Sequence, residues 1–456
     1  MSLQFITGGS GAGKSEYLSR LVCEESVRRP HDNFIVVVPE QYTMETQKKL
    51  VHMHSRKGIL NIDVVSFERL AYKVFEELGG GNRPVLDDTG KNLIVRRVLE
   101  KEKKKLDYFG SSIEKTGFVS ELKSVISELL QYGITPQQLG EIGENVKEKQ
   151  QLSAKLKDIR LVYKEFMAFL STNYITSEEI LDVLCGLVEK SKLIAGSEII
   201  FDGFTGFTPI QYKLMRLLLV YSKGIKISVT IDKKERPTGH DSWNNLFFMS
   251  KEMMNRLIAI CEEEGINVDD TVCVDRDINY RYEGAKDLAY LERNLFRYKG
   301  GVYTGTPENI RIYEGSNPKE ELQYIVSEIL QLTRKEGFRY RDIAVVTADL
   351  ETYGKVAANM MKQNDIPAFL DYKRSVAANP YVEMLCSALE IVEKGYPYDT
   401  MFRYLRTGLT GISRHDIDML ENYCLAVGIR GSRAWHEPWK KKMKRSTYQP
   451  ELETLN

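Results

Sequence analysis

The apolar positions of the first 80 residues alternate between short β-branched runs and longer helical patterns. Runs at residues 3–7, 34–38 and 62–65 have the length and composition of strands. Three-to-four spacing predicts a helix from Lys14 that stops near Pro30, and a later helix that Ser66 caps and that extends through Leu78. Strands and helices in alternation predict βαβ units and therefore a parallel sheet.

The next hundred residues follow a different pattern. Gly79-Gly80-Gly81 interrupts the alternation, and residues 87–192 are predicted to be almost wholly helical. Strand patterns return at residues 198–202 and 225–231, with a helix between them that Pro209 opens. We therefore expect an inserted helical domain, after which the first sheet resumes.

A second α/β series is predicted further along the chain. Residues 310–313 and 343–347 have strand patterns, and helices are predicted from Pro318 and over residues 351–363. From Asn379 onward the pattern is helical again. The chain is thus expected to contain two α/β regions, each followed or interrupted by helices.

Composition narrows the possible classes of protein. With 456 residues and 42% hydrophobic content the chain is long enough for several cores, and 64 basic residues balance 64 acidic ones. Any nucleic-acid surface must therefore be local. The six cysteines form no CxxC pair, which favours reduced thiols. No apolar stretch approaches membrane-spanning length and the N-terminus leaves no room for a signal peptide, so we expect a cytoplasmic protein without membrane contact.

One motif carries recognisable chemistry. Residues Gly8, Gly9, Ser10, Gly11, Ala12, Gly13, Lys14 and Ser15 fit G-x-x-x-x-G-K-[ST] and lie between a predicted strand and a predicted helix. Such a loop wraps backbone N–H groups round a phosphate, while Lys14 reaches the outer phosphates and the Ser15 hydroxyl binds Mg²⁺. A chance glycine-rich turn is the alternative, and the agreement of both flanks disfavours it.

A P-loop ATPase needs a second carboxylate for Mg²⁺ at the end of a nearby strand. Asp202 is the candidate, although Asp202-Gly203 also fits an ordinary turn. Gly203 stands where a water-orienting glutamate usually follows, and after Asp232 the chain continues Lys233-Lys234 rather than with a glutamine that senses the γ-phosphate. These departures favour nucleotide binding over rapid turnover.

Several segments together resemble the AddB family of bacterial helicase–nuclease subunits, itself similar to UvrD-type superfamily 1 helicases. Besides the P-loop they are Val38-Pro39-Glu40-Gln41-Tyr42-Thr43, Val65-Ser66-Phe67-Glu68-Arg69-Leu70, Phe201-Asp202-Gly203-Phe204-Thr205-Gly206-Phe207-Thr208-Pro209, Asn317-Pro318-Lys319-Glu320-Glu321, Glu421-Asn422-Tyr423 and Gly428-Ile429-Arg430-Gly431. The resemblance is to the N-terminal part of the family and covers nearly the whole chain.

The resemblance implies an α/β fold of the P-loop NTPase (RecA-like) type with large helical insertions, arranged as in a superfamily 1 helicase. Residues 1–82 and 195–280 would form the first RecA-like core, and residues 83–194 the helical domain inserted in it. Residues 281–378 would begin the second core. Residues 379–456 would begin a second helical insertion.

The resemblance also implies a function. Family members use ATP and Mg²⁺, pair with an AddA-like helicase–nuclease subunit, and process double-strand DNA ends for recombination, contacting single- and double-stranded DNA. Their C-terminal part holds a nuclease domain and an iron–sulfur cluster, and neither signature occurs in this sequence, so we expect no nuclease activity here. Two hypotheses remain open: an ATP-binding scanner of a regulatory DNA sequence without motor activity, which Gly203 favours, and an active DNA-translocating ATPase.

The same resemblance places Tyr42, Thr43, Ser66 and Phe67 where superfamily 1 proteins touch single-stranded DNA, through hydroxyls to phosphate and rings to bases. Helix capping for Ser66 and core packing for Phe67 are the alternatives. Two basic runs, residues 101–105 and 440–445, could also bind phosphates, although charged helix faces are usually only solvated.

Overall fold

The structure is a computed structural model that describes residues 1–79, 84–115, 117–146, 148–176, 178–235, 242–297, 300–371 and 376–441. It divides into two compact units, Met1–Arg311 and Ile312–Asn456.

The first unit opens with three strands and three helices in alternation. They are β1 (Ser2–Gly8), α1 (Lys14–Arg28), β2 (Asn33–Val37), α2 (Thr43–Met53), β3 (Ile62–Val65) and α3 (Phe67–Leu78). A 3₁₀ turn, Glu40–Tyr42, links β2 to α2. Ser66 caps α3 as predicted, because its side chain accepts the N–H of Arg69.

The segment predicted as a helical insertion is mainly helical. Its elements are β4 (Val85–Leu86), α4 (Asp88–Glu102), α5 (Phe118–Gln131), α6 (Pro136–Asn145), α7 (Gln150–Asn173), β5 (Ile175–Thr176), α8 (Ile180–Cys185) and α9 (Lys192–Ala195). Helices α4 to α7 share an apolar core of their own, which includes Val95, Val162 and Phe166. Strand β4 precedes helices α4 to α7 and β5 follows them, and the two strands pair in parallel. Helices α8 and α9 pack in the apolar core of the α/β region.

The α/β region then resumes, as predicted, and closes the first unit. Its remaining elements are β6 (Ser197–Phe201), α10 (Pro209–Tyr221), β7 (Gly224–Thr230), α11 (Phe248–Glu264), β8 (Asn267–Val268), β9 (Val272–Cys273) and α12 (Lys286–Asn294). Pro209 occupies the first turn of α10, behind a capping box formed by Thr208 and Gln211.

The strands form one parallel sheet in the order β3-β2-β6-β7-β1-β8, and β9 also pairs with β1. Because β6 and β7 return between β2 and β1, the carboxyl ends of β1, β6 and β7 lie side by side at one edge. In open parallel sheets this edge is where ligands bind.

Helices cover both faces of the sheet, and the strand sequences explain why. Phe34 and Val36 pack with residues of α1 and α2, whereas Ile35 and Val37 pack with residues of α3, α8, α10 and α11. Successive strand residues point to opposite faces, so a strand covered on both sides must be apolar at nearly every position. This confirms the predicted α/β class with a parallel sheet.

The second unit consists of helices in the part of the chain that the structure describes. They are α13 (Pro318–Lys335), α14 (Leu350–Gln363), α15 (Pro380–Glu393), α16 (Tyr398–Leu405), α17 (Arg414–Val427) and α18 (Ser432–His436). One apolar cluster joins α13 to α14, and another joins α16, α17 and the segment that carries Trp435 and Trp439.

The strands predicted at residues 310–313 and 343–347 are wrong for the residues described here, since neither segment pairs with a strand. Ile312 is 95% exposed and Val346 is 91% exposed. β-Branched residues favour a strand only where a neighbour takes the ladder hydrogen bonds and another layer covers the side chains. The division into four helicase-like domains stays a prediction.

Among the residues described above, no helix is both long enough and apolar enough to cross a membrane.

Candidate functional site

The loop between β1 and α1 has the geometry expected of a P-loop. Gly11 and Gly13 have φ values of +73° and +96°, a backbone conformation that glycine adopts without strain. Gly13 is the N-cap of α1, so Lys14 and Ser15 occupy the first helical turn. The backbone N–H groups of a helix N-terminus suit an anionic ligand.

Lys14 folds back over its own loop. Its Nζ donates hydrogen bonds to the carbonyl oxygens of Gly8 and Gly9, each at 2.9 Å. Burial lowers the pKa of Lys14, while the nearby carboxylates Asp202 and Asp275 act in the opposite direction. The ammonium group is therefore held at the mouth of the loop in a partly desolvated position, where an anion interacts with it strongly.

Asp202 directly follows β6 and is oriented by the neighbouring strand. The Ser228 hydroxyl on β7 donates to Asp202 Oδ1 at 2.6 Å, and the Gly203 N–H donates to Ser228 Oγ at 3.3 Å. Gly203 has a φ of +83°, a backbone conformation in which a glutamate at this position would be strained. The strand end supplies one fixed carboxylate and no second acid beside it.

These groups surround a cavity of about 370 Å³. Lys14, Ser15 and Asp202 line it, together with Glu16, Lys49 and Arg281, which no sequence motif singles out. Lys49 Nζ lies 3.0 Å from Glu16 Oε2, so these two charges largely offset each other. Among the lining residues, Lys14 and Arg281 together then exceed the single charge of Asp202, which favours a polyanionic ligand.

Ser15 and Asp202 fit a Mg²⁺ ion that is shared with a phosphate ligand. Mg²⁺ commonly takes one or two protein oxygens and completes its shell with water and phosphate. A hydroxyl and a carboxylate facing the same cavity are such a set. Groups of three or more His, Cys, Asp or Glu side chains able to hold a metal without a ligand are absent from the described residues.

Arg281 is the functional candidate that sequence reasoning missed. Strand β9 pairs with β1, and the chain then crosses the P-loop, where the Arg281 N–H donates to the Gly11 carbonyl at 3.3 Å. A Cβ atom on Gly11 would lie 2.6 Å from Arg281 Cβ. The short apolar run Val272-Cys273-Val274, followed by acidic residues, was the signal that could have located this segment at the same edge of the sheet.

The residues predicted to contact DNA differ in their exposure. Tyr42 is 49% exposed, whereas Thr43 and Ser66 are buried. Thr43 Oγ1 donates to the carbonyl of Glu40 at 2.9 Å, and Ser66 caps α3. Because these hydroxyls already serve local structure, only Tyr42 offers an open side chain. Their contact with DNA stays a prediction.

Phe67 is buried in a cluster of aromatic rings beside the same strand ends. Its ring centroid lies 5.7 Å from that of Phe201, 5.4 Å from Phe204 and 6.1 Å from Phe207. Phe204 and Phe207 are only partly buried, so the cluster reaches the surface through them. Phe67 is therefore packed among other rings, as the core-packing alternative predicts. Its role in binding bases stays a prediction.

The first basic run is largely paired with carboxylates. Lys101 lies 3.3 Å from Glu165, Lys103 lies 3.0 Å from Glu114, and Lys105 lies 2.6 Å from Glu102. This matches the interpretation as a solvated helix face. In the second run, Lys442, Lys444 and Arg445 lie outside the described residues.

The six cysteines are unpaired thiols. Four are buried, and burial raises the pKa of Cys185 and Cys261 to about 11 and that of Cys424 to about 12. Such thiols are poor nucleophiles and poor metal ligands. The iron–sulfur cluster expected of longer family members stays a prediction.

Comparison with known proteins relates the chain to one family. Residues 5–292 match the family described as "ADDB, N-terminal". A protein of Lachnoclostridium phytofermentans is 41% identical over 459 positions, which cover 100% of this chain and 40% of the relative. Proteins of Clostridium novyi and Caldanaerobacter subterraneus are 34% and 37% identical, each covering 96% of this chain and 38% of the relative.

All three relatives are named as one subunit of an ATP-dependent helicase/deoxyribonuclease. The chain spans about 40% of the length of these curated relatives. The family match covers well over half of the chain, and it includes the P-loop, Asp202 and Arg281. The chain therefore belongs to the AddB family, whose N-terminal region it matches.

Proposed function

We propose that this chain binds Mg-ATP in its P-loop cavity and DNA beside it, as part of a helicase–nuclease that processes double-strand DNA ends for recombination. Its partner would be an AddA-like subunit, and the relatives' description as one subunit of a larger enzyme supports such a pairing. The observation that carries the proposal is the cavity itself, where Lys14, Ser15, Asp202 and Arg281 face one another.

Each residue has a distinct role in nucleotide binding. The N–H groups of the P-loop bind the inner phosphates, while Lys14 and Arg281 neutralise the outer ones. Ser15 and Asp202 would hold Mg²⁺, which draws charge from the phosphate oxygens when it is bound. Ser228 fixes the orientation of Asp202 through their 2.6 Å hydrogen bond.

The favoured role is that of a scanner that binds ATP without acting as a motor. Rapid hydrolysis needs a group that orients the attacking water, and Gly203 offers no side chain where that group usually stands. The scanner would contact single-stranded DNA with Tyr42 and the neighbouring strand-end segments, and would recognise a regulatory sequence in it.

An active DNA-translocating ATPase is the second candidate, and one observation favours it. Lys14 and Arg281 both line the cavity, as a site that stabilises charge during phosphoryl transfer requires. Steady-state ATP hydrolysis in the presence of DNA ends separates the two roles. Turnover of roughly 1 s⁻¹ or faster would favour the motor, whereas binding with far slower turnover favours the scanner.

Equilibrium binding of Mg-ATP tests the site. We expect Lys14→Ala to abolish binding without unfolding the chain, because the loop residues face a ligand cavity. Lys48→Ala is the matched control, since Lys48 is an exposed lysine of α2 outside the cavity.

Four results are informative. Loss of binding in Lys14→Ala alone supports the site, and equal binding by both variants places the nucleotide elsewhere. A wild-type chain that binds no Mg-ATP would contradict the proposal. Loss of the thermal unfolding transition in Lys14→Ala would count against the view that Lys14 serves the ligand rather than the fold.

A further inference from the structure

Lys49 connects the nucleotide cavity to a helix that begins at the predicted DNA segment. It lines the cavity although it belongs to α2 rather than to the P-loop helix. Its Nζ lies 3.0 Å from Glu16 Oε2, in the first turn of α1. Both side chains are partly exposed, so this ion pair contributes little to stability.

The other end of α2 carries Tyr42 and Thr43. From Tyr42 to Lys49 is seven residues, or about 10 Å along a helix axis. The 3₁₀ turn before α2 is tied to α3 through Glu40, whose Oε1 lies 3.1 Å from Arg69 Nε. One short helix thus spans from the predicted DNA contact to the wall of the nucleotide cavity.

Helix α2 is held by few buried side chains. Within its eleven residues only Thr43 and Leu50 are buried. Elements with few buried contacts shift or open at low cost compared with the core of a domain. A change at Lys49 therefore meets little resistance along the rest of the helix.

The chemistry at Lys49 provides two alternative arrangements. In the structure the Lys49 ammonium pairs with Glu16, which also lies 3.6 Å from Arg20. A triphosphate in the cavity adds a stronger anion beside Lys49 and repels Glu16. Lys49 then exchanges Glu16 for phosphate, and such a differential contact is what coupling between two sites requires.

We propose that Lys49 couples the two sites: nucleotide binding draws Lys49 away from Glu16 and shifts α2, and with it the DNA-contacting end at Tyr42. The proposal rests on the proposed function, because it needs both ligands to bind. Coupling of this kind is reciprocal, so DNA binding changes nucleotide affinity by the same factor.

The test measures the affinity of a fluorescent oligothymidine for the whole chain, with and without a saturating Mg-bound non-hydrolysable ATP analogue. For the wild type we expect a change of about tenfold between the two conditions. Lys49→Met should reduce this change to less than twofold. Lys48→Met, the same substitution one position earlier on an exposed face of α2, should keep it.

Glu16→Gln tests the exchange itself. It releases Lys49 without nucleotide, so DNA affinity in the absence of nucleotide should shift in the same direction as nucleotide shifts the wild type. A merely structural ion pair would leave that affinity unchanged.

The outcomes separate this inference from the proposed function. Coupling that persists in Lys49→Met overturns the inference, and so does a wild-type chain that binds both ligands without coupling. In those cases nucleotide and DNA binding still stand. A wild-type chain that binds no nucleotide contradicts the proposed function itself.

Discussion

The β-branched residues of β2, β3 and β6 lie between two layers of helices, whereas Ile312, Val345 and Val346, in the stretches 310–313 and 343–347, are exposed. Ile199 in β6 is fully buried, while Val346 is 91% exposed. Both stretches alternate apolar runs with amphipathic helices, so local pattern does not account for the difference. What differs is pairing: β6 has strands on both sides and helices above and below.

This difference matters for chemistry. Lys14 and Asp202 are almost 190 positions apart along the chain and face one cavity only because β1 and β6 end at the same edge of a parallel sheet. Residues 343–347 have no such neighbour among the described residues. A function that needs several strand ends is therefore expected from the first α/β region.

The largest expected difference in stability comes from placing a charge in β6 and, for comparison, in residues 343–347. Ile199→Asp buries a carboxylate in the middle of the sheet and should cost about 4 kcal/mol or more of the free energy of unfolding. Val346→Asp should change it by less than about 0.5 kcal/mol, because the side chain is already in water. Urea denaturation of both variants measures the contrast.

A large loss of stability in Val346→Asp would contradict the contrast between β6 and residues 343–347. It would show that Val346 is covered in solution, and that the segment forms a strand after all. Val346→Ala is a useful companion, since it removes apolar surface without adding charge.

Breaking an ion pair should also cost more stability in the first region than in the second. Glu198 in β6 is buried, accepts a 2.5 Å hydrogen bond from Arg29 Nη2 and pairs with Lys226. Glu198→Gln should cost roughly 2 to 3 kcal/mol, toward the low end for a broken buried pair because Arg29 keeps other carboxylates. Asp342 pairs with Arg339 at the surface, and Asp342→Asn should give no resolvable change in urea denaturation.

The pH dependence follows from the same pair. Burial raises the pKa of Glu198, but hydrogen bonds from Lys226 and Arg29 lower it more, so its folded pKa lies below the ordinary 4.5. Its stabilising contribution is therefore present above pH 4.5 and is lost as pH falls through the folded pKa. The stability difference between wild type and Glu198→Gln should stay constant from pH 7 down to about pH 4.5 and shrink below that pH.

A smaller effect is expected at the nucleotide cavity. Arg281→Ala should weaken Mg-ATP binding about tenfold, because a charge-assisted contact to phosphate is lost while Lys14 remains. Arg256→Ala is the control, since Arg256 is an exposed arginine of α11 that pairs with Glu252. Titration calorimetry measures both.

Most strands of the first region can be predicted from the local sequence pattern. The others form only because they pair with a neighbouring strand. The apolar runs of β1, β3 and β6 predict these strands to within a residue or two because each run is compact. Strands β8 and β9 are two residues long and owe their identity to pairing with β1. Arg281 comes to the P-loop through that pairing, and the short run Val272-Cys273-Val274 is the signal for it in the sequence.

Helix caps should be equal in the two regions, because capping is local. Ser66 Oγ accepts the Arg69 N–H at 3.3 Å in the first region, and Asn317 Oδ1 accepts the Glu320 N–H at 3.0 Å in the second. Replacing either residue by alanine should cost about 1 kcal/mol, measurable by urea denaturation, and by glycine only a few tenths. A much larger loss for Ser66→Ala than for Asn317→Ala would contradict this equality.

Ser66→Gly also separates the two roles considered for this hydroxyl. Glycine keeps most of the capping stability but removes Oγ, so a hydroxyl that contacts DNA phosphate would lower oligothymidine affinity with little change in stability. If Oγ serves only α3, affinity stays at the wild-type value. We expect the second result, because Ser66 is buried and its oxygen is already engaged by Arg69, which leaves Tyr42 as the open contact.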